Sequence, residues 1–182
     1  MISGQDDAWY VGKRLATKIR DIKDFPKKGI IFRDITPLLQ DADSFREAVS
    51  FIARHYRDKN ISFVVSPEAR GFILGAAIAY ELGAGFIPVR KSGKLPYSSE
   101  KATYSLEYGE DEIQIHKDAI KKKDKVLIFD DLIATGGTAQ ATCKLVEKLG
   151  GEVTGVCFLV ELTELKGKEK LSEYDVFTII KY

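Results

Sequence analysis

Residues 125–150 read KVLIFDDLIATGGTAQATCKLVEKLG, and the folding of this stretch decides how the rest of the chain must be arranged. Val126 to Phe129 is an unbroken apolar run, as expected of a strand covered on both faces. Asp130 and Asp131 end the run, and Leu132, Ile133 and Ala134 lead into Thr135-Gly136-Gly137-Thr138, where helical spacing begins. Small residues and hydroxyls at a helix start make an anion site, because unpaired backbone N–H groups and the positive end of the helix dipole face whatever sits there. Acids beside an anion site make sense when the ligand also carries sugar hydroxyls or a metal ion. The turn then holds a phosphate while the acids accept from ribose, which points to a phosphoribosyl group.

An apolar strand closed by two acids also occurs as the metal-binding strand of P-loop NTPases, and as plain loop chemistry in α/β proteins. The NTPase reading needs a G-x-x-x-x-G-K-[ST] element, which this sequence lacks. No G-x-G-x-x-G follows a strand either, which leaves a dinucleotide fold unsupported.

The remaining chain reads as alternating elements. Helical spacing covers 6–22 and, with Phe45, Val49, Ile52 and Tyr56 facing a core, 42–59. Short extended runs fall at 30–35, 61–66, 85–90, 153–160 and 176–180, with a small-residue helix at 72–82 and a charged helix near 164–171. Residues 91–103 show neither period and read as a binding loop, and 104–108 with 112–116 alternate about Gly109 as a hairpin. This order predicts a mostly parallel sheet wrapped by helices, with ligands outside the carboxyl ends of its strands. Three loops leave those ends: Pro67–Gly71, Arg90–Lys94 and Asp130–Thr138.

At 182 residues the chain is expected to form one domain over 1–182. A net charge of +1 provides no electrostatic footprint for nucleic acid, so no such partner is expected. No apolar run approaches the roughly 18 residues that span a bilayer, and the N-terminus lacks a signal-peptide pattern. Cys143 and Cys157 lack metal-ligand spacing and read as buried thiols, so the cytoplasm is the expected compartment, with no membrane partner.

FDDLIATGGT resembles the 5-phosphoribosyl-1-pyrophosphate motif of type I phosphoribosyltransferases, and FPKKGIIFRDITPLL, PEARGF, VRKSGKLP, YSLEYGEDEIQIHKDAI and LVELTELKGKEKL resemble, in order, the adenine-specific branch of that family. The resemblance runs over nearly the whole chain from Phe25. It implies the type I fold: a central sheet flanked by helices, a small hood from about 25–37 and 161–182, and a flexible hairpin lid over about 91–109. The implied reaction converts adenine and 5-phosphoribosyl-1-pyrophosphate into AMP and pyrophosphate in a homodimer. Mg²⁺ would be held mainly by substrate and water, with Asp130 and Asp131 nearby.

Residue by residue, the resemblance implies that Asp130, Asp131, Leu132, Ala134, Thr135, Gly136, Gly137 and Thr138 hold the phosphoribosyl group. Glu68, Ala69, Arg70 and Gly71, with Arg90, Lys91 and Lys94, would receive pyrophosphate, the basic residues partly across the dimer interface. Ile31, Phe32, Arg33 and Leu162 would enclose adenine, Phe32 by stacking and its neighbours through main-chain groups. Phe32 and Leu162 also read as simple packing residues. Glu107 would handle a purine proton, where the residues alone read as a solvated hairpin carboxylate, and Tyr108 is a lid aromatic or strand packing. Pro67 departs from the small or polar residue frequent there. His55 reads as a helix-surface residue and His116 as a strand end. A regulator that binds the same effector would need an added basic or winged-helix region. The remaining alternative is a transferase for xanthine or guanine.

Overall fold

The computed structural model describes residues 4–105 and 110–182. In chain order these form α1 (Gly4–Ala16), β1 (Arg20–Lys23), β2 (Ile31–Asp34), α2 (Thr36–Gln40), α3 (Ala42–Tyr56), β3 (Phe63–Pro67), α4 (Gly71–Leu82), β4 (Gly85–Lys91), β5 (Ser99–Ser105), β6 (Glu110–His116), β7 (Lys125–Ile133), α5 (Gly137–Lys148), β8 (Glu152–Glu161) and β9 (Val176–Lys181). Short 3₁₀ turns follow α3 and, twice, β8.

Seven strands make one sheet in the order β5-β6-β4-β3-β7-β8-β9. The five from β4 to β9 in that order are parallel, and β6 and β5 join antiparallel at one edge. The apolar run of β7 alternates between two cores: Leu127 and Phe129 join the cluster that contains α3 and α4 residues, Val126 and Ile128 the one that contains α5. A parallel strand with both faces covered needs this composition. α1 lies along β9, so closely that a Cβ on Gly12 would stand 2.4 Å from the Ile179 carbonyl oxygen. Edge strand β9 is thereby covered.

A separate two-stranded sheet pairs β1 with β2, the latter within the stretch expected to form part of a hood. Asp34 closes it: its carboxylate takes Arg20 at 2.6 Å and the Thr36 amide at 2.9 Å, which starts α2.

Several expected boundaries move. The helix expected over 6–22 stops at Ala16, where the Thr17 hydroxyl donates to the Arg14 carbonyl at 2.7 Å, and Ile22 pairs with Phe32 in the two-stranded sheet instead. Tertiary pairing outweighs helical spacing there. The strand expected to end at Phe129 continues through both acids to Ile133, because β8 supplies partners as far as Glu161. The stretch expected to be aperiodic to Thr103 is strand from Ser99, paired with β6. The charged helix expected near 164–171 is two 3₁₀ turns, broken at Lys166 with φ +51°. Of the hood expected from 161–182, residues 176–181 form β9 in the main sheet.

Candidate active site

The sheet opens between β3 and β7. Their pairing ends at Val65↔Ile128, whereas β3 continues along β4 to Pro67↔Val89 and β7 along β8 to Ile133↔Glu161. α4 carries the chain from β3 to one side and α5 carries it from β7 to the other, so the gap is the switch point where ligands bind in open α/β sheets. A cavity of about 320 Å³ sits there, lined among others by Glu68, Arg70, Lys91, Tyr104, Asp131 and Thr138.

On the β7 side the acids are crowded. Asp131 is 5% exposed, and its Oδ2 lies 2.8 Å from Arg70 Nε. That oxygen nevertheless receives no aligned donor, so the contact is Coulombic and one buried acceptor stays open. Asp130 Oδ1 accepts from the Asp131 amide at 2.9 Å. The start of α4 presses on the same carboxylate, since a Cβ on Gly71 would stand 2.8 Å from Asp130 Oδ1. Burial, then the neighbouring charge of Asp131, pushes the Asp130 carboxyl well above the carboxylate range; burial also raises Asp131, against the pull of Arg70. The buried Asp131 oxygen without an aligned donor, beside the half-buried Asp130, suits a hydroxyl donor or a cation.

The turn after β7 ends at Gly136, which has φ +77° and leads directly into α5. No side chain caps the first turn of α5, which leaves its N–H groups for a ligand. Thr138 and Leu132 face the cavity, and Ala134 and Thr135 form the turn between strand and helix.

On the β3–β4 side the cations are already occupied. Glu68 accepts from Arg90 Nη2 at 3.1 Å, from Lys94 Nζ at 3.2 Å and from the Lys91 amide at 2.6 Å. Burial alone would raise the Glu68 carboxyl, but these three donors bring it below its ordinary value. The Lys91 ammonium lies 2.9 Å from Asp111 Oδ2 of β6, an ion pair that raises the lysine and lowers the acid. The Tyr104 hydroxyl donates to the same oxygen at 3.3 Å. Glu68 thus organises the basic cluster through its side chain. Sequence reading overlooked Asp111, whose only signal was a polar position in an alternating hairpin.

Of the expected base-binding residues, Phe32 comes nearest the cleft, beside Arg70: its ring centroid is 5.1 Å from the Arg70 guanidinium carbon and 5.2 Å from that of Phe25. The Arg33 side chain turns away, pairing with Asp21 and lying 3.8 Å over the Tyr182 ring. Ile31 is 44% exposed, and Leu162 donates its amide to the Ile133 carbonyl at 3.0 Å at the end of β7. None of these four lines the cavity at the switch point. Glu107 and Tyr108 lie outside the described residues. His55 is exposed on α3, its ring stacked 4.0 Å from Phe177, and His116 ends β6.

Comparison with known proteins identifies the family of the chain. A family model for the phosphoribosyl transferase domain matches residues 35–182. An adenine phosphoribosyltransferase of Clostridium kluyveri is 58% identical over 168 residues, covering 92% of this chain and 98% of the relative. The crystal structure of adenine phosphoribosyltransferase from Thermoanaerobacter pseudethanolicus superposes with a TM-score of 0.91 at 50% identity, over 93% of this chain and 99% of that one. The Saccharomyces cerevisiae enzyme, solved with D-2,5-dideoxy-2,5-imino-altritol 1,6-bisphosphate and adenine, gives 0.90 at 39% identity, over 93% and 98%. With a cleft of this chemistry at the switch point and matches of this extent, the chain belongs to the phosphoribosyltransferase family, in its adenine phosphoribosyltransferase branch.

Proposed function

We propose that the cleft between β3 and β7 carries out the reaction of this branch: adenine and 5-phosphoribosyl-1-pyrophosphate become AMP and pyrophosphate. The observation that carries the reading is the pairing of Arg70 with a buried, donor-poor Asp131 across the gap from an uncapped helix start. One side of the cleft suits a leaving polyanion, the other a sugar phosphate.

In this reading the amides from Ala134 to Thr138 and the hydroxyls of Thr135 and Thr138 hold the 5′-phosphate. Asp130 and Asp131 accept from the ribose 2′- and 3′-hydroxyls. An adenine nitrogen bonds to the anomeric carbon as the bond from that carbon to pyrophosphate oxygen breaks, the electron pair leaving with pyrophosphate. Positive charge that develops on the sugar ring is favoured by the acid pair, whose ionised form the ligand's hydroxyl donors and cation stabilise. Arg70, the amides of Ala69 and Gly71, and the cations Arg90, Lys91 and Lys94 receive pyrophosphate, which displaces Glu68 and Asp111 from them. The proton on adenine passes to Glu107, and closure of the lid over 91–109 keeps water from the reacting carbon. Phe32 stacks on the base, with Leu162 on its other face and the main chain of Ile31 and Arg33 reading its edge.

Asp130 and Asp131 offer hard oxygen donors that suit Mg²⁺, and no group of three or more metal-binding side chains occurs among the described residues. The metal would therefore be held by substrate phosphates and water beside these acids, where it would neutralise the departing charge. A homodimer is supported by α4, the helix that starts at the Arg70 loop: its Ile73 is 47% exposed and its Tyr80 87%. Buried free Cys143 and Cys157 suit a reducing cytoplasm, and no helix among the described residues is long and apolar enough to cross a membrane.

The test incubates the protein with 5-phosphoribosyl-1-pyrophosphate, Mg²⁺ and adenine, guanine or xanthine in turn. AMP and pyrophosphate in equal amounts from adenine are expected. Nucleotide from another base alone would overturn the reading.

A further inference from the structure

We infer that Gly167, in the second 3₁₀ turn after β8, is a positioning residue for the phosphate turn, 31 residues away from Gly136 in sequence. The two glycines face each other backbone to backbone. A Cβ on Gly136 would stand 2.3 Å from the Gly167 carbonyl oxygen. A Cβ on Gly167 would in turn stand 2.3 Å from the Ala134 carbonyl oxygen, 2.8 Å from Ile133 Cγ1 and 3.0 Å from the Gly136 amide nitrogen. Three of these four contacts are with main chain, which has no rotamer to give way, so a side chain at 167 must shift residues 134–136.

The turn that carries Gly167 is itself anchored on both sides. Before it, the Leu162 amide donates to the Ile133 carbonyl at 3.0 Å. At its other end, Leu171 is fully buried in the α5-side core, and Gln140 of α5 donates to the Lys170 carbonyl at 3.1 Å. The turn is thus tied to the strand before the phosphate turn and to the helix after it. Gly136 holds a left-handed conformation at φ +77°, and the Gly167 backbone packs directly against that residue. The segment after β8 carries both Leu162, which the proposed reading assigns to the base, and Gly167, which sets the phosphate turn, and so links the two ends of the nucleotide site.

The inference rests on the reading of 134–138 as the phosphate site, and the experiment separates the two. Ribose 5-phosphate and Mg²⁺-pyrophosphate are titrated calorimetrically into wild type, Gly167→Ala and Gln140→Ala, with folding checked by circular dichroism. Gly167→Ala is expected to weaken ribose 5-phosphate by roughly tenfold or more, since sub-ångström displacement of a positioning group has effects of this size, while pyrophosphate affinity changes less than about twofold. Gln140→Ala is expected to weaken ribose 5-phosphate about two- to threefold, as for loss of one neutral hydrogen bond. Failure of wild type to bind ribose 5-phosphate would sink the phosphate reading. Tight binding by wild type and an equally tight Gly167→Ala, or equal loss of both ligands, would overturn the role of Gly167. If Gly167→Ala does not fold, an unchanged Gln140→Ala overturns it.

Discussion

The two ends of the cleft are built from different materials. At the β7–α5 end the anion site is main chain: a left-handed glycine, uncapped helical amides and a second glycine packed behind them. At the β3–β4 end it is side chain, and every cation in it already has a carboxylate partner: Arg70 has Asp131, Arg90 and Lys94 share Glu68, and Lys91 has Asp111. A backbone site costs no rearrangement when it fills, which suits a phosphate common to substrate and product. A site of paired side chains must exchange partners to bind and can take them back, which suits a group that leaves. Preorganisation and release make opposite demands, and the fold meets them on opposite sides of one gap.

That contrast breaks most visibly at the acids. Asp131→Asn is expected to cut turnover by roughly 10²–10³-fold, the scale for removing one preorganised group at the reacting centre. The same change is expected to raise the midpoint of thermal unfolding at pH 7. Burial raises the folded-state pKa of Asp131, so its charged form costs stability above that pKa, and the cost disappears as pH falls through it. The melting advantage of the variant should therefore shrink towards acid pH. A variant that is inactive and less stable at pH 7 would contradict this account.

Gly136→Ala tests the rigid end. The left-handed conformation alone costs an ordinary residue about 1–2 kcal/mol, and the added Cβ meets the Gly167 carbonyl besides. Binding of ribose 5-phosphate should be lost while Mg²⁺-pyrophosphate still binds. Loss of both would mean that the two ends are not independent.

The exchangeable end should respond in the opposite sense. Asp111→Asn removes a carboxylate that competes for Lys91, so pyrophosphate is expected to bind about two- to fivefold tighter, within the range of a partly exposed ion pair, and most clearly at low salt. Weaker pyrophosphate binding would show that Asp111 orders the site rather than competing for it.

The smallest effect is expected in the two-stranded sheet of β1 and β2. The Asp34 carboxyl is held at about 2 by hydrogen bonds from Thr36 and then from Arg20, so it stabilises the fold above the ordinary value of 3.8 and loses that contribution between 3.8 and about 2. Asp34→Asn should melt slightly lower at pH 7, and the two melting curves should converge as pH falls through that window.

Much of this was legible in the chain. The run from Val126 to Thr138 announced a buried strand, acids and an anion turn because all three are local, and each is written in adjacent residues. The α/β order and the three loops at the strand ends followed from periodicity and punctuation. The end of α1 was not legible, since Ile22 fits a helical stripe until β2 offers it a partner. Nor was Asp111 or Gly167: one is an acid in an alternating hairpin, the other a glycine in a charged segment, and neither stands out until its neighbours across the fold are known.

By itself, then, the sequence determined the chemical inventory: two carboxylates at a strand end, a turn that binds anions, and a basic group. Local spacing suffices for these because dihedral preference and helix polarity act over a few residues. Only the tertiary structure decided which groups face which: that Arg70 meets Asp131 and Phe32, that three cations are already paired with two acids, and that Gly167 stands behind Gly136. Such contacts join residues tens of positions apart, and their geometry comes from sheet order and register, which no short stretch contains.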